Sequence, residues 1–271
     1  NMKKEVYAFL WYPYIDSDSD NTGAYLQYQY MTTLAYAGLT LQKDGDISKN
    51  APYSVWKSQR LKKIMTEAKA AGVKIHPRIS TFDSGNVNYL LSSSQRRQKA
   101  IANIINEIKN APVALDGVNI DFEPVPTESR SEFTDFIKNL RSEMDKINPD
   151  LEIVIDTFAS TPSSEAGFDL KNLNKYVDGF FVMSFSFVGK SSSEKAGSFN
   201  PYSAYTKVAD EYLAKVPANK IIMGFPFYTN RWSTKDSSPR AQKKGNGGGG
   251  LILYGDAHAE AKVFGRKYLD S

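Results

Sequence analysis

Short apolar runs alternate with amphipathic helical patterns along almost the whole chain of 271 residues. The apolar runs occupy residues 6–12, 32–41, 73–82, 113–123, 151–159, 177–188 and 220–228. Several of the segments between them place apolar residues three and four positions apart, which is the spacing of one helix face. This alternation predicts an α/β fold in which helices cover a parallel sheet. Seven or eight strand-helix units within this length predict one domain over residues 1–271, a (β/α)8 TIM barrel.

The pattern becomes irregular near the seventh and eighth units, where two interpretations stay open. In the first, residues 250–254 form the eighth strand, residues 256–268 form a closing helix, and residues 233–249 replace the helix before it. In the second, residues 257–268 are the helix before an absent eighth strand, and the barrel is left open. We expect the first arrangement, because three consecutive apolar residues at 251–253 between glycines are too apolar for a loop.

Composition excludes several kinds of site. The chain contains no cysteine, which excludes disulfides, thiol catalysis and cysteine-based metal sites. Its two histidines, His76 and His258, lie far apart in sequence, so we expect neither a zinc site nor a Ser-His-Asp triad. Residues 16–21 look like a calcium loop but lack its glycine and its final glutamate, and we expect a plain loop. We therefore expect no metal and no other cofactor.

Charge and hydropathy restrict the partners. The net charge of +4 is small for this length, and the basic residues are scattered, so we expect no nucleic-acid partner. No apolar run approaches the roughly 18 residues of a membrane span. Asn1 before Met2 resembles the residue that tag removal leaves. We expect a monomer, and a secreted or cell-surface protein whose leader has been removed.

Four polar residues lie in the second part of the fourth apolar run, within residues 116–123. Side chains two positions apart on a strand share a face, so Asn119, Asp121 and Glu123 should lie on one side, about 6 to 7 Å apart. Asp116 does not fit this period, and it reaches the same face only if the backbone bends at Gly117. Because buried carboxylates are costly, this arrangement indicates a chemical site. Asp156 interrupts the next apolar run, and the pattern leaves open whether it faces this site.

The motif Asp116-Gly117-Val118-Asn119-Ile120-Asp121-Phe122-Glu123 resembles glycoside hydrolase family 18, the chitinase and endo-β-N-acetylglucosaminidase family, whose fourth strand carries DG-x-D-x-D-x-E. Residues 224–228 are similar to its seventh-strand G-x-P-x-Y, and Met183 stands where its sixth-strand M-x-Y-D begins. Asn at position 119 is also similar to the spore-cortex and peptidoglycan-directed branch. The resemblance covers most of the chain.

The resemblance implies a retaining hydrolase of β-1,4-linked glycans that contain N-acetylglucosamine, acting by substrate-assisted catalysis. Glu123 would protonate the glycosidic oxygen and later deprotonate a water. Asp121 would hold the N-acetyl group, whose oxygen attacks the anomeric carbon. Asp116 would lie behind Asp121 and share a proton with it, and Asn119 would orient these acids.

Two departures from the family pattern affect the predicted substrate site. Phe185 replaces the tyrosine of the sixth-strand motif, and Ser186 replaces its aspartate. The lost hydroxyl donor would cost about 10² to 10³ in rate unless Tyr228 or Ser186 substitutes for it. Aromatic side chains can stack on sugar faces, and Trp232 is the best candidate. The expected substrate-binding residues are Asn119, Met183, Phe185, Ser186, Tyr228, Trp232 and Trp11.

Alternatives to this function remain open. A carbohydrate-binding, lectin-like protein on the same barrel would explain the changes at positions 185 and 186, although Glu123 is intact. An unrelated barrel acting on phosphorylated metabolites is disfavoured, because no anion-binding glycine loop follows a late strand. The sequence does not distinguish chitin, peptidoglycan and the core of an N-glycan, nor endo from exo action.

Overall fold

The computed structural model describes residues 4–15, 26–164, 166–188, 193–246 and 250–264. The loop predicted at residues 16–21 lies outside these residues, as do the last residues of the helix predicted up to residue 268. Within the described residues, no helix is both long enough and apolar enough to span a membrane.

A seven-stranded sheet forms the centre of the fold and keeps the strands in chain order. Its strands are β1 (Tyr7–Trp11), β2 (Thr33–Thr40), β3 (Lys74–Phe82), β4 (Gly117–Glu123), β5 (Glu152–Phe158), β6 (Gly179–Met183) and β7 (Ile221–Met223). Strands β1 to β5 pair in parallel. All seven strands fall within the seven predicted apolar runs, and the predicted α/β class is confirmed. Strand β4 is buried at every residue except its last, as expected for a parallel strand covered on both faces.

Helices follow most of the strands. They are α1 (Ala51–Trp56), α2 (Gln59–Ala70), α3 (Ser84–Leu91), α4 (Ser94–Lys109), α5 (Arg130–Asp145), α6 (Thr161–Ser164), α7 (Leu170–Leu173), α8 (Tyr202–Leu213) and α9 (Tyr254–Phe264). The segment between β2 and β3 contains two helices, α1 and α2. Ser58 separates them because its side chain accepts a hydrogen bond from the backbone N–H of Leu61 (3.2 Å) and caps α2.

The chain divides into two compact units. The sheet unit comprises Asn1–Thr157, Thr161–Phe181 and Lys215–Ile222, and the second unit comprises Phe158–Ser160, Val182–Ala214 and Met223–Ser271. The sheet unit therefore contains β1 to β4, almost all of β5 and most of β6. A single domain over the whole chain stays a prediction.

Aromatic packing fixes one face of β4 against α5. The ring of Phe122 lies 5.7 Å from that of Phe133 and 5.5 Å from that of Phe136, and all three side chains are fully buried. Burying each such side chain contributes about 1.5–3 kcal/mol. Because neighbouring strand residues face opposite sides, Asp121 and Glu123 point away from α5.

The predicted eighth strand has a different partner from the expected one. Strand β9 (Leu251–Leu253) exists, but it pairs antiparallel with β8 (Tyr228–Asn230) in a separate two-stranded sheet. Its side chains alternate between exposed and buried, and only Ile252 is buried. This alternation suits a two-stranded ribbon with one solvent face, whereas a strand of the parallel sheet is buried on both faces. The placement of residues 250–254 in the main sheet was therefore wrong.

Gly117, at the start of β4, provides a stability test. An added Cβ there would lie 2.3 Å from the carbonyl oxygen of Glu152 and 2.7 Å from Nε2 of His76. We expect Gly117→Ala to lower the free energy of unfolding by about 1–3 kcal/mol or more, because a backbone atom must move. Urea unfolding measures the change. Gly250→Ala is the control, since its added Cβ meets no described atom within 4 Å; equal stability of both variants would contradict the close approach.

Candidate active site

Polar side chains of β4 lie along the face opposite α5. Asn119 and Asp121 are fully buried, and Glu123, the last residue of the strand, is half-buried. The parallel register with β3 places Ser80 beside Asp121 and Phe82 beside Glu123. The site therefore opens at the carboxyl end of β4, where active sites of parallel α/β folds occur.

Asp121 is a buried acid with one nearby cation. Nη1 of Arg78 on β3 lies 2.9 Å from Oδ2 of Asp121, in an ion pair whose angles fall outside hydrogen-bond geometry. Among the described residues, neither carboxyl oxygen of Asp121 has a hydrogen bond of good geometry. Burial and the charge of Asp156 raise the pKa of Asp121 well above its ordinary value, and Glu123 reinforces this, while Arg78 opposes it. Asp121 therefore favours its protonated form far more than an exposed aspartate does.

Asp156 on β5 belongs to the same cluster. Nδ2 of Asn119 donates a hydrogen bond to Oδ1 of Asp156 at 2.6 Å, and both side chains are buried. Burial raises the pKa of Asp156 to about 7, although the Asn119 hydrogen bond and the charge of Arg78 oppose the shift. The sequence pattern left the direction of this side chain open, and the structure shows that it faces Asn119.

Arg78 is the cation beside Asp121, and the sequence pattern alone did not identify it as a residue of the site. Its guanidinium also lies 5.6 Å from the centre of the Phe82 ring, within the range of a cation-π contact. The available signal was an arginine two positions before Ser80, inside an apolar run. A charge inside a buried strand requires a partner, and Asp121 supplies it.

A second polar chain runs through the sheet interior from β1 to β5. The hydroxyl of Tyr7 lies 3.0 Å from Nδ1 of His76, and Nε2 of His76 lies 3.4 Å from Oε2 of Glu152. His76 is fully buried. Burial first, and then the charges of Asp156 and Glu152, raise the pKa of Tyr7 well above its ordinary value. Tyr7 therefore stays a neutral hydroxyl next to the acid cluster.

Asp116 lies apart from these acids, contrary to the prediction that it shares a proton with Asp121. Nζ of Lys69 lies 2.9 and 2.8 Å from its two carboxyl oxygens, and Oδ2 also accepts the backbone N–H of Ile75 at 2.8 Å. Asp116 and Asp121 are five positions apart in the chain, which corresponds to about 16 Å along an extended strand. The backbone of Asp116 continues the pairing of β4 with both neighbouring strands, since its N–H donates to the carbonyl of Ile75 (3.1 Å) and its carbonyl accepts from the N–H of Glu152 (2.9 Å).

Three of the predicted substrate-binding residues lie together in the second unit. The ring of Phe185 packs edge-on against that of Tyr228, with centroids 6.4 Å apart. Burial raises the pKa of Tyr228, and the nearby side chain of Ser186 opposes this shift. The backbone of Ser186 has a φ of 66° and donates to Oδ1 of Asn200 at 3.0 Å. A left-handed serine held in this way indicates a fixed loop conformation after β6.

The other predicted substrate-binding residues outside β4 are Met183, Trp11 and Trp232. Met183 ends β6 and is half-buried. Trp11 ends β1 in the sheet unit, is 52% exposed, and packs edge-on against Tyr12 and Tyr14. Trp232 is half-buried in the second unit and follows β8. The exposed ring of Trp11 is therefore available for stacking.

The cluster formed by Arg78, Asn119, Asp121, Glu123 and Asp156 combines three carboxyl groups with one cation. Burial raises the pKa of both Asp121 and Asp156, so these two acids favour their protonated forms more than exposed aspartates do. A protonated carboxyl group beside an ionised one is suited to general acid and base catalysis. Glu123 is the half-buried acid of this cluster, whereas Asp121 and Asp156 are buried.

Comparison with known proteins gives a consistent result. The family model described as "Glycosyl hydrolases family 18" matches residues 10–270. The chain is 26% identical over 243 residues to "Uncharacterized glycosylase YvbX" of Bacillus subtilis, covering 86% of this chain and 67% of that protein. It spans 28% to 36% of the length of three further curated relatives.

Solved structures share the fold. The Bacillus cereus spore cortex-lytic enzyme SleL superposes with a TM-score of 0.77 at 18% identity, covering 98% of this chain and 60% of that one. The Ostrinia furnacalis Group IV chitinase superposes with a TM-score of 0.81 at 17% identity, covering 96% of this chain and 79% of that one. At such low identity these likenesses support the fold, and the family model supports the family.

The position of Asp116 gives a prediction that separates stability from chemistry. We expect Asp116→Asn to lower the free energy of unfolding by about 1 kcal/mol, because it removes a partly exposed ion pair with Lys69. The turnover of a cleaved glycan should stay within about twofold of the unchanged protein, since no reacting group is touched. Urea unfolding and initial-rate assays measure the two effects. A large loss of turnover with unchanged stability would show that Asp116 takes part in catalysis.

Proposed function

The chain belongs to the glycosyl hydrolases of family 18, and from this premise we propose that it cleaves β-1,4 bonds of N-acetylglucosamine-containing glycans with retention of configuration. The observation that carries the proposal is the pair Asp121 and Glu123, which share one face at the carboxyl end of β4. The family consists of glycosidases, which agrees with the enzyme class predicted from the sequence.

Glu123 is the proton donor in this proposal. It is the half-buried acid of the cluster and lies at the carboxyl end of β4. Its carboxyl group transfers a proton to the glycosidic oxygen as the bond from that oxygen to the anomeric carbon breaks. In the second step a water attacks the anomeric carbon, the bond between that carbon and the acetamide oxygen breaks, and the water gives a proton to Glu123, which restores the enzyme and the N-acetyl group.

Asp121 acts on the acetamide group rather than on the anomeric carbon. It is fully buried and its raised pKa favours the neutral form, so it is poorly suited to attack carbon directly. A buried carboxyl group is well suited to bind and orient the N–H of an N-acetyl group. The acetamide oxygen then bonds to the anomeric carbon as the leaving group departs, which is substrate-assisted catalysis.

The second unit supplies residues that we propose for glycan binding. Tyr228 and Ser186 provide neighbouring hydroxyl groups, and the ring of Phe185 packs against that of Tyr228. These hydroxyls are candidates to replace the donor that a tyrosine at position 185 would provide. Trp11, Trp232 and Met183 offer apolar surface that suits the C–H faces of sugar rings.

The proposal also covers the substrate, the complete fold, the location and the oligomeric state. The relatives include chitinases and a spore cortex-lytic enzyme, so chitin, peptidoglycan and the N-glycan core all remain candidate substrates. We propose that the seven-stranded sheet belongs to a (β/α)8 barrel and that the protein acts as a secreted or cell-surface monomer, where polymeric glycans occur. No metal or cofactor has a role in this mechanism.

Glu123→Gln tests the proposal. Glutamine keeps the shape of the side chain but cannot donate this proton, so we expect turnover to fall by about 10³-fold or more while glycan binding is retained. The protein is incubated with chitooligosaccharides, muropeptides and a high-mannose glycopeptide, and mass spectrometry identifies the products. Isothermal titration calorimetry measures binding. The control is Glu128→Gln, which changes an exposed acid in the loop after β4.

Two results would contradict the proposal. Turnover by Glu123→Gln at the rate of the Glu128→Gln control would remove Glu123 from the mechanism. Binding of a glycan without cleavage of any of the three substrate classes would support a carbohydrate-binding protein instead.

A further inference from the structure

Resting on the proposed function, we propose that Asp156 is a positioning residue of the glycosidase site, which sets the orientation of Asn119 and the charge of Asp121. Asp156 lies on β5, outside the β4 motif that carries the acids. It does not touch substrate in this proposal. It acts through the two β4 side chains that face it.

The first support is the geometry of the Asn119 amide. Its Nδ2 donates to Oδ1 of Asp156 at 2.6 Å, which fixes the amide with its oxygen on the other side. That oxygen, Oδ1 of Asn119, is buried and has no hydrogen-bond partner among the described residues. Asp156 therefore leaves a fixed acceptor inside the cluster, next along the strand face from Asp121.

The second support is the cost of keeping Asp156 where it is. Its side chain is buried on β5, and its hydrogen bond comes from a neutral amide. An acid buried in this way destabilises a strand relative to an apolar residue of similar size. A role in the chemistry of the neighbouring acids accounts for its presence better than packing does.

The third support is the charge balance of the cluster. Asp156 is surrounded by Arg78 on β3, Asn119, Asp121 and Glu123 on β4, and the hydroxyl of Tyr7 on β1. Its negative charge raises the pKa of Asp121. When Glu123 loses its proton to the leaving group, the cluster gains a negative charge. Asp156 then determines how readily Asp121 ionises and accepts the acetamide N–H.

The amide at position 119 gives a reason for the position of Asp156 on β5. The family motif has an aspartate at this position, and this chain has an amide. An aspartate at position 119 would place two carboxyl groups at the 2.6 Å now spanned by the hydrogen bond. Two carboxylates so close do not both ionise, so an acid is tolerated on β4 or on β5 more easily than on both.

An exchange of the two side chains tests this proposal. Asp156→Asn removes the acid, Asn119→Asp adds one, and the double variant moves the acid from β5 to β4. We expect Asp156→Asn to lower kcat by about tenfold or more with a KM change below about threefold, since positioning and not binding is lost. The double variant should recover most of kcat. Glu107→Gln is the control, because it alters a buried acid of α4 outside the cluster.

The pH dependence separates positioning from a structural role. Without Asp156 its repulsion is gone, so Asp121 should titrate at lower pH, and the limb of the kcat profile that reports Asp121 should move the same way. Carboxyl ¹³C NMR of Asp121 in the unchanged protein, in Asp156→Asn and in Glu107→Gln follows the titration without any need for turnover. Unfolding curves confirm that each variant is folded.

The outcomes distinguish this inference from the proposed function. Unchanged kcat, unchanged pH profile and unchanged Asp121 titration in Asp156→Asn would overturn the role of Asp156 while leaving the hydrolase standing. If the unchanged protein cleaves none of the glycans, the proposed function fails, and the NMR titration alone decides the control of Asp121 by Asp156. A titration of Asp121 that moves to lower pH in Asp156→Asn and stays unchanged in Glu107→Gln supports the inference.

Discussion

The buried contact among β3, β4 and β5 is the interaction on which the candidate site depends. Arg78 forms an ion pair with the buried carboxyl group of Asp121, the charge of Asp156 acts on the same group, and Asn119 forms a hydrogen bond with Asp156. Taking such a group out of water is unfavourable unless its charge is balanced or its proton is kept. The rigid parallel pairing of the three strands holds these side chains at fixed separations, and the packing of Phe122 against α5 prevents β4 from rotating. The sheet thus maintains an acid group that an isolated strand would not.

Much of this arrangement is predictable from the sequence because it follows from local periodicity. The two-residue period of β4 placed Asn119, Asp121 and Glu123 on one face, and the apolar residues between them predicted the opposite face. The alternation of apolar runs and amphipathic patterns predicted the parallel α/β sheet, since each run is long enough for one strand only. Such features depend on neighbours a few residues away, and tertiary contacts reinforce them.

The rest depends on contacts between distant parts of the chain. Asp116 seemed to belong to the acids through its position in the motif, but Lys69 from α2 and the backbone of Ile75 hold it at the other end of the strand. The direction of Asp156 depends on the register of β5 with β4, which the sequence does not reveal. Strand β9 was assigned to the wrong sheet because three apolar residues look alike in a hairpin and in a barrel strand. In each case the partner, rather than the residue itself, decides the outcome.

In the proposed mechanism the acetamide of the substrate, and not a water, first attacks the anomeric carbon, while Asp121 orients the acetamide and Glu123 donates the proton. The configuration of the first product tests it most directly. ¹H NMR of a chitooligosaccharide digest, or of whichever glycan the protein cleaves, is recorded before the new reducing end mutarotates. If configuration is retained, the β-anomer forms first and then decays toward equilibrium with the α-anomer. Initial appearance of the α-anomer would show direct attack by water with inversion, and would contradict the mechanism.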